Sequence, residues 1–303
     1  MGAGRPTRVA PMAQVAVVTD STHYMPREIA ERHGLHTVSL YVRWGEPPAD
    51  EREADLPDFD GFYAQLRTTR ELPTTSQPSV GDFLAVYEPL LEQGSDIVSI
   101  HISGGISGTV RAAEQARDQL AERGVERERI VIVDSASVCA GVGLLAIAAA
   151  NAIEDGADAP AAAARARALR AELKILFAVD TLEFLRRGGR IGGAQAWIGS
   201  TLKIKPILAI ESEIVPVERV RTWGRAFERM VTHLRTLRED GNDRFFIQHI
   251  QAADQAEALA QRGAAIYGRP PEFVSEMGPV IGTHAGPGLI GVTALRDALL
   301  GPV

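Results

Sequence analysis

The 303 residues carry a formal net charge of −7, are 45% hydrophobic and 23% charged, and include one cysteine, Cys139. That mix describes a globular chain of one large or two ordinary domains. The acidic total, with no basic stripe to offset it, argues against a general nucleic-acid surface. A lone cysteine excludes an internal disulfide and a cysteine-based zinc site, and fits a reducing cytoplasm.

Residues 1–13 hold Arg5 and Arg8 but no apolar core, so they read as an unstructured leader rather than a signal peptide, with Met12 as an alternative start. Gln14 to Thr19 is a buried-type strand, ended by Asp20-Ser21-Thr22; Tyr24 to His33 is a short helix closed by Gly34. Leu35 to Val42 alternates as a second strand, so the chain opens β-α-β and favours a parallel sheet. Trp44 to Asp58, with Pro47, Pro48 and Pro57, reads as loop, and Phe59 to Arg70 as helix. Thr75 and Ser76 then lie just ahead of a helix N-terminus, where Ser79 and Asp82 have capping-box spacing.

Asp96 to Ile102 is an apolar strand, Ser103 to Thr109 a loop of small and hydroxylated residues, and Val110 to Gly124 a helix. Strand, glycine-rich turn and helix form a cradle for an anion: glycine lets the backbone approach, and the first helical N–H groups are unpaired. The hydroxyls of Ser107 and Thr109 stand where a carboxylate or phosphate would need them, although Ser107 would equally serve as a simple helix cap. Arg129 to Val133 is the next strand and ends in Asp134-Ser135. A long alanine-rich helix begins near Cys139 and another runs from Pro160 to about Leu173; Asn151, Glu154, Asp155 and several arginines break any bilayer-spanning run. Polar turns thus follow three strands at their carboxyl ends, where open α/β sheets bind ligands.

The second half holds a strand at Lys174–Val179 and a helical turn at Leu182–Arg187, followed by the basic Gly188-Gly189-Arg190 turn. After it come a short helical stretch at 195–202, a hairpin at 203–220 around Glu211-Ser212, and an amphipathic helix at Thr222–Asp240. A strand at Arg244–Ile250, a helix at Asp254–Tyr267, an extended stretch at Glu272–Ile281 and the apolar Leu289–Thr293 complete it. Gly282 to Gly288 reads as a turn in which three glycines leave room beside His284, a residue able to act as acid, base or carboxylate partner. Arg190 offers a bidentate anion contact, or is a surface arginine. No metal-ligand spacing stands out, there is no Walker A loop or GxSxG elbow, and no GxGxxG follows the first strand. Ser107 and His284, with Asp20 or Asp134 as third member, would suit a serine esterase or acyl transferase; a phosphate-ligand binder is a third reading. The expected fold class is α/β, two α/β domains dividing near residue 170 (14–170 and 171–303), the first with a mainly parallel Rossmann-like sheet.

Several segments together resemble one family. Val18 to Thr22, Thr75 to Ser79, Ile102 to Thr109, Val133 to Ser135, Leu182 to Ile191, Lys205 to Leu208 and Gly282 to Gly288 match, in order, the DegV family of bacterial fatty-acid-binding proteins. That family includes the binding subunits of the fatty acid kinase system. The resemblance implies a long-chain fatty acid in an apolar tunnel, with its carboxylate held between the domains. By motif position the contacts would be Thr75 and Ser107, supported by His284, with Arg190 close by and Ser76, Gly108, Thr109, Asp20 and Ser21 around them. It implies no cofactor, no metal and no chemistry on this chain. A separate ATP-dependent kinase subunit would phosphorylate the acid for phospholipid synthesis, with Arg221 as a partner-facing residue and only transient membrane contact. Gly105, where a bulkier residue or serine is common, and Trp197 depart from the pattern and bear on acyl-chain preference.

Overall fold

A computed structural model describes residues 14–45, 47–56, 58–69, 71–198 and 204–303. The leader at 1–13, the end of the 195–202 stretch and the first residue of the 203–220 hairpin lie outside the described residues.

Strands β1 (Val15–Asp20), β2 (His36–Val38), β6 (Asp96–His101) and β7 (Ile130–Asp134) form a parallel sheet in the order β2-β1-β6-β7. Its strands are near-continuous apolar runs because helices cover both faces. On one face lie α3 (Val80–Glu92) and α4 (Thr109–Glu122), packed through Phe83, Tyr87, Ala112 and Leu120. The other carries α5 (Ala140–Glu154) and α6 (Ala159–Glu172). Helix α5 is buried at every position from Ala140 to Asn151, as a helix apolar all round must be.

The second sheet has six strands in the order β10-β9-β8-β13-β11-β12: β8 (Leu176–Ala178), β9 (Lys205–Glu211), β10 (Glu213–Val220), β11 (Arg244–Ile250), β12 (Val274–Glu276) and β13 (Leu289–Leu295). All its pairs are antiparallel except β11–β12. Alternation along β11 sends Phe245 and Ile247 beneath α8 (Trp223–Glu239) and α9 (Ala253–Tyr267). Phe246 and Gln248 turn to the opposite face, toward the first half of the chain.

Four expectations need correction. Leu35 to Val42 is not one strand: β2 ends at Val38, and β3 (Tyr41–Trp44) joins a separate sheet between β4 (Ala49–Arg52) and β5 (Thr74–Ser76). The break is fixed by the Leu40 N–H donating to Ser21 Oγ (3.1 Å) and by Ser39 Oγ donating to the Leu40 carbonyl (2.8 Å). The supposed loop at 44–58 contains β4 (Ala49–Arg52) and a 3₁₀ turn at Glu53–Asp55, because Pro47-Pro48 turns a hairpin. Thr74–Ser76, read only as a cap approach, is strand β5 on β3. Glu272 to Ile281 is extended only over β12; Pro279–Ala285 is a helix, α10, started by its proline, with His284 in the last turn.

Candidate functional site

Four segments far apart in sequence meet at one end of a cavity between the inner face of the six-stranded sheet and the first half of the chain. Thr75 on β5 and His284 on α10 are joined by a 2.7 Å hydrogen bond between Thr75 Oγ1 and His284 Nε2. Ser107 Oγ and Thr109 Oγ1 lie 2.8 Å apart in the loop that opens α4. Gly108, not Ser107, is the N-cap residue of α4, with no side-chain cap bond. A Cβ on Gly108 would collide with the Gln77 side chain, so the Thr75–Ser76 strand and the Ser107–Thr109 loop pack against each other through that glycine.

Arg190 leaves the glycine turn after α7 (Glu183–Arg187) and donates from Nη1 to the Gly188 carbonyl (2.8 Å) and from Nε to the Ile106 carbonyl (3.3 Å). A Cβ on Gly188 would strike His284 Nδ1, so the two basic groups share one corner. Burial, with the Arg190 charge as a second cause, pushes the His284 imidazole down to about 4, so the ring is neutral at pH 7. Its Nδ1 is buried and has no partner among the described residues. The corner therefore carries hydroxyls, one guanidinium and a neutral imidazole, a set that fits a carboxylate.

Behind it the cavity is lined by apolar side chains, including Ile106, Phe177, Ile214, Phe246 and Leu289, with Arg190 and His284 also lining it. It is narrow: about 80 Å³ admits the centre of a water molecule. Cys139, another lining residue, has φ 53° and ψ −128°, a conformation non-glycine residues rarely adopt, and the next residue, Ala140, donates its N–H to the Gln248 side-chain oxygen at 2.5 Å.

The remaining expected residues lie elsewhere or differ in exposure. Asp20 is fully buried and accepts from Thr22 and the Ile102 N–H (2.8 Å), with His101 Nδ1 at 3.2 Å. His101 and the other donors hold its carboxyl below the usual range against the opposing effect of burial. Ser21 donates to Glu53 Oε2 (2.8 Å) and accepts from Leu40 N–H. Both are thus spent in internal networks. Ser76 and Arg221 are exposed.

The arrangement does not assemble a hydrolase triad. Ser107 pairs with Thr109, the His284 Nε2 faces Thr75, and no carboxylate meets Nδ1 among the described residues. Sequence reasoning overlooked Gly188, Gln77 and Gln248 as shaping residues. The glycine-glycine pair at 188–189 was a usable signal for the first; a buried glutamine in an apolar strand gives none.

A family model described as "Uncharacterised protein, DegV family" matches residues 14–297. The protein DegV of Bacillus subtilis is 37% identical over 284 residues, 92% of this chain and 98% of that protein. A crystal structure of DegV from that organism, described as a fatty acid binding protein, superposes with a TM-score of 0.83 at 36% identity, covering 94% of this chain and 100% of the other. A DegV family protein from Thermus thermophilus, described by its fatty acid binding, gives 0.82 at 36% identity over 93% and 99% of the two chains.

Proposed function

The chain belongs to the DegV family, and from that premise we propose that it carries a long-chain fatty acid. The acyl tail lies in the apolar cavity, and the carboxylate rests among Thr75, Ser107 and His284, with Arg190 supplying positive charge and Gly108 and Thr109 completing the loop. The observation that carries this reading is the joining of one narrow apolar cavity to one polar corner. A buried carboxylate is costly without several donors, and each buried methylene contributes about 0.8 kcal/mol. The division near residue 170, between α6 and β8, sets the cavity at the junction of two α/β domains.

The chain itself performs no chemistry on this reading. A cytoplasmic, ATP-dependent kinase subunit phosphorylates the bound acid, and the exposed Arg221, beside the Thr222 cap of α8, contacts that subunit. The added phosphate would meet Arg190 and the first N–H groups of α4. Extraction of purified protein followed by mass spectrometry is expected to yield long-chain fatty acids. Thr75→Ala and Ser107→Ala should each bind about 10-fold or more weakly, in line with hydrogen bonds to a charged group. Protein that comes out empty and ignores added palmitate would end the reading.

A further inference from the structure

We infer that Gly291 sets the length of acyl chain the cavity accepts; this rests on the fatty-acid reading of the site. Gly291 sits in the middle of β13, paired with Phe177 of β8 on one side and Gln248 of β11 on the other. Glycine weakens a strand interior, so its presence there needs a cause. The usual causes do not apply. Its backbone is not among the left-handed residues. A Cβ would meet nothing nearer than Phe177 Cβ at 3.5 Å, Met277 Cε at 3.7 Å and the Gln248 carbonyl oxygen at 3.8 Å, all ordinary contacts. Gly263 shows the contrast, since a Cβ there would run into the Phe245 ring. Backbone and packing at 291 both admit a side chain, and the space that side chain would take is the cavity, of which Gly291 is a lining residue.

Its place along the cavity is fixed by the strand. Leu289 begins β13 directly after the turn that leaves the helix of His284, and it lines the end near the polar corner. Thr293 and its cross-strand partner Phe246 line the other end. Gly291 stands between them, two residues or about 7 Å from each. A tail anchored at Thr75 and His284 must therefore pass over Gly291 to reach Phe246. A short tail stops before it.

The test compares octanoate and palmitate binding to the full chain and to Gly291→Val and Gly291→Ala. The native chain is expected to prefer palmitate. Gly291→Val should hold octanoate within about threefold of native while losing about 60-fold or more in palmitate affinity, since each excluded methylene is worth about fourfold and three or more are displaced. Gly291→Ala should fall between, and retained octanoate binding reports a folded site. Palmitate binding unchanged in both variants overturns the inference, as does an equal loss of both acids in Gly291→Ala at native thermal stability. A native chain that binds neither acid overturns the fatty-acid reading and this inference with it; one that binds palmitate while the variants keep native selectivity overturns the inference alone.

Discussion

His284 is the residue on which the polar corner turns. Its ring is held at both edges, by Thr75 at 2.7 Å and by the close approach of Gly188, so its position is fixed before any ligand arrives. Burial lowers its proton affinity to about 4, against 6.5 for the unfolded side chain. The folded state thus binds this proton less well than the unfolded chain. The stability contributed by the neutral ring is complete above pH 6.5 and is lost as pH falls through 4. A carboxylate beside the ring favours the imidazolium, so palmitate should raise the His284 pKa. Proton NMR titration of the ring with and without palmitate measures this, and a pKa that stays put or falls would place the carboxylate elsewhere.

At the scale of elements, α10 is a seven-residue helix made rigid by its neighbours rather than by its own length. Glu53 Oε1 accepts from the Val280 N–H (2.8 Å) and the Tyr24 hydroxyl (2.7 Å), and Tyr63 donates to the carbonyls of Met277 (2.6 Å) and Gly278. Gly278 is required where Tyr24, Glu53 and Phe59 converge, since a Cβ there would lie under 3 Å from all three. Burial pushes the Glu53 carboxyl up to about 7, opposed by hydrogen bonds from Val280, Tyr24 and Ser21 and reinforced by the charge of Asp20. Here the folded state holds the proton more tightly than the unfolded chain at 4.5. The associated stability is complete below pH 4.5 and is lost as pH rises through 7. Relative to the native chain, thermal melts of Glu53→Gln should therefore lack the fall in stability that Glu53 contributes between pH 5 and 8; identical pH profiles of the two chains would refute that contribution. Neither the helix nor its clamp was legible in the sequence. Glycines and His284 between 282 and 288 read as a turn, because Glu53 and Tyr63, more than two hundred positions earlier, supply the contacts that make the segment helical.

Across the whole molecule, the two larger sheets are tied together by the chain end. Helix α11 (Asp297–Leu300) folds back from the six-stranded sheet onto α5, where Asn151 Nδ2 donates to the carbonyls of Leu300 (2.7 Å) and Pro302 (2.8 Å). Leu300, Leu295, Phe246 and Phe273 share one core with Leu144, Ile147 and Leu169. Stability is thus not divided cleanly at residue 170. Leu300→Ala should cost about 2–4 kcal/mol by chemical denaturation, the ordinary cost of a buried leucine truncation. It should lower the stability of both halves together; independent unfolding of one half, seen by hydrogen exchange, would refute that coupling. Among the described residues no helix is long and apolar enough to cross a membrane.

By itself the sequence determined the β-α-β opening, the parallel apolar strands, the hydroxyl-rich turns at their carboxyl ends and the family, because these are local signals: periodicity of two or 3.6, glycine, and residues that cap. Only the tertiary structure decided that Thr75 reaches His284 and that Arg190 sits beside it. It also decided that Asp20 and Ser21 turn into internal networks and that Gly291 leaves its space to the cavity. Those facts depend on which side chains meet across long stretches of chain, and the free energy that selects them comes from burial and from satisfying buried polar groups, which no short window of residues contains.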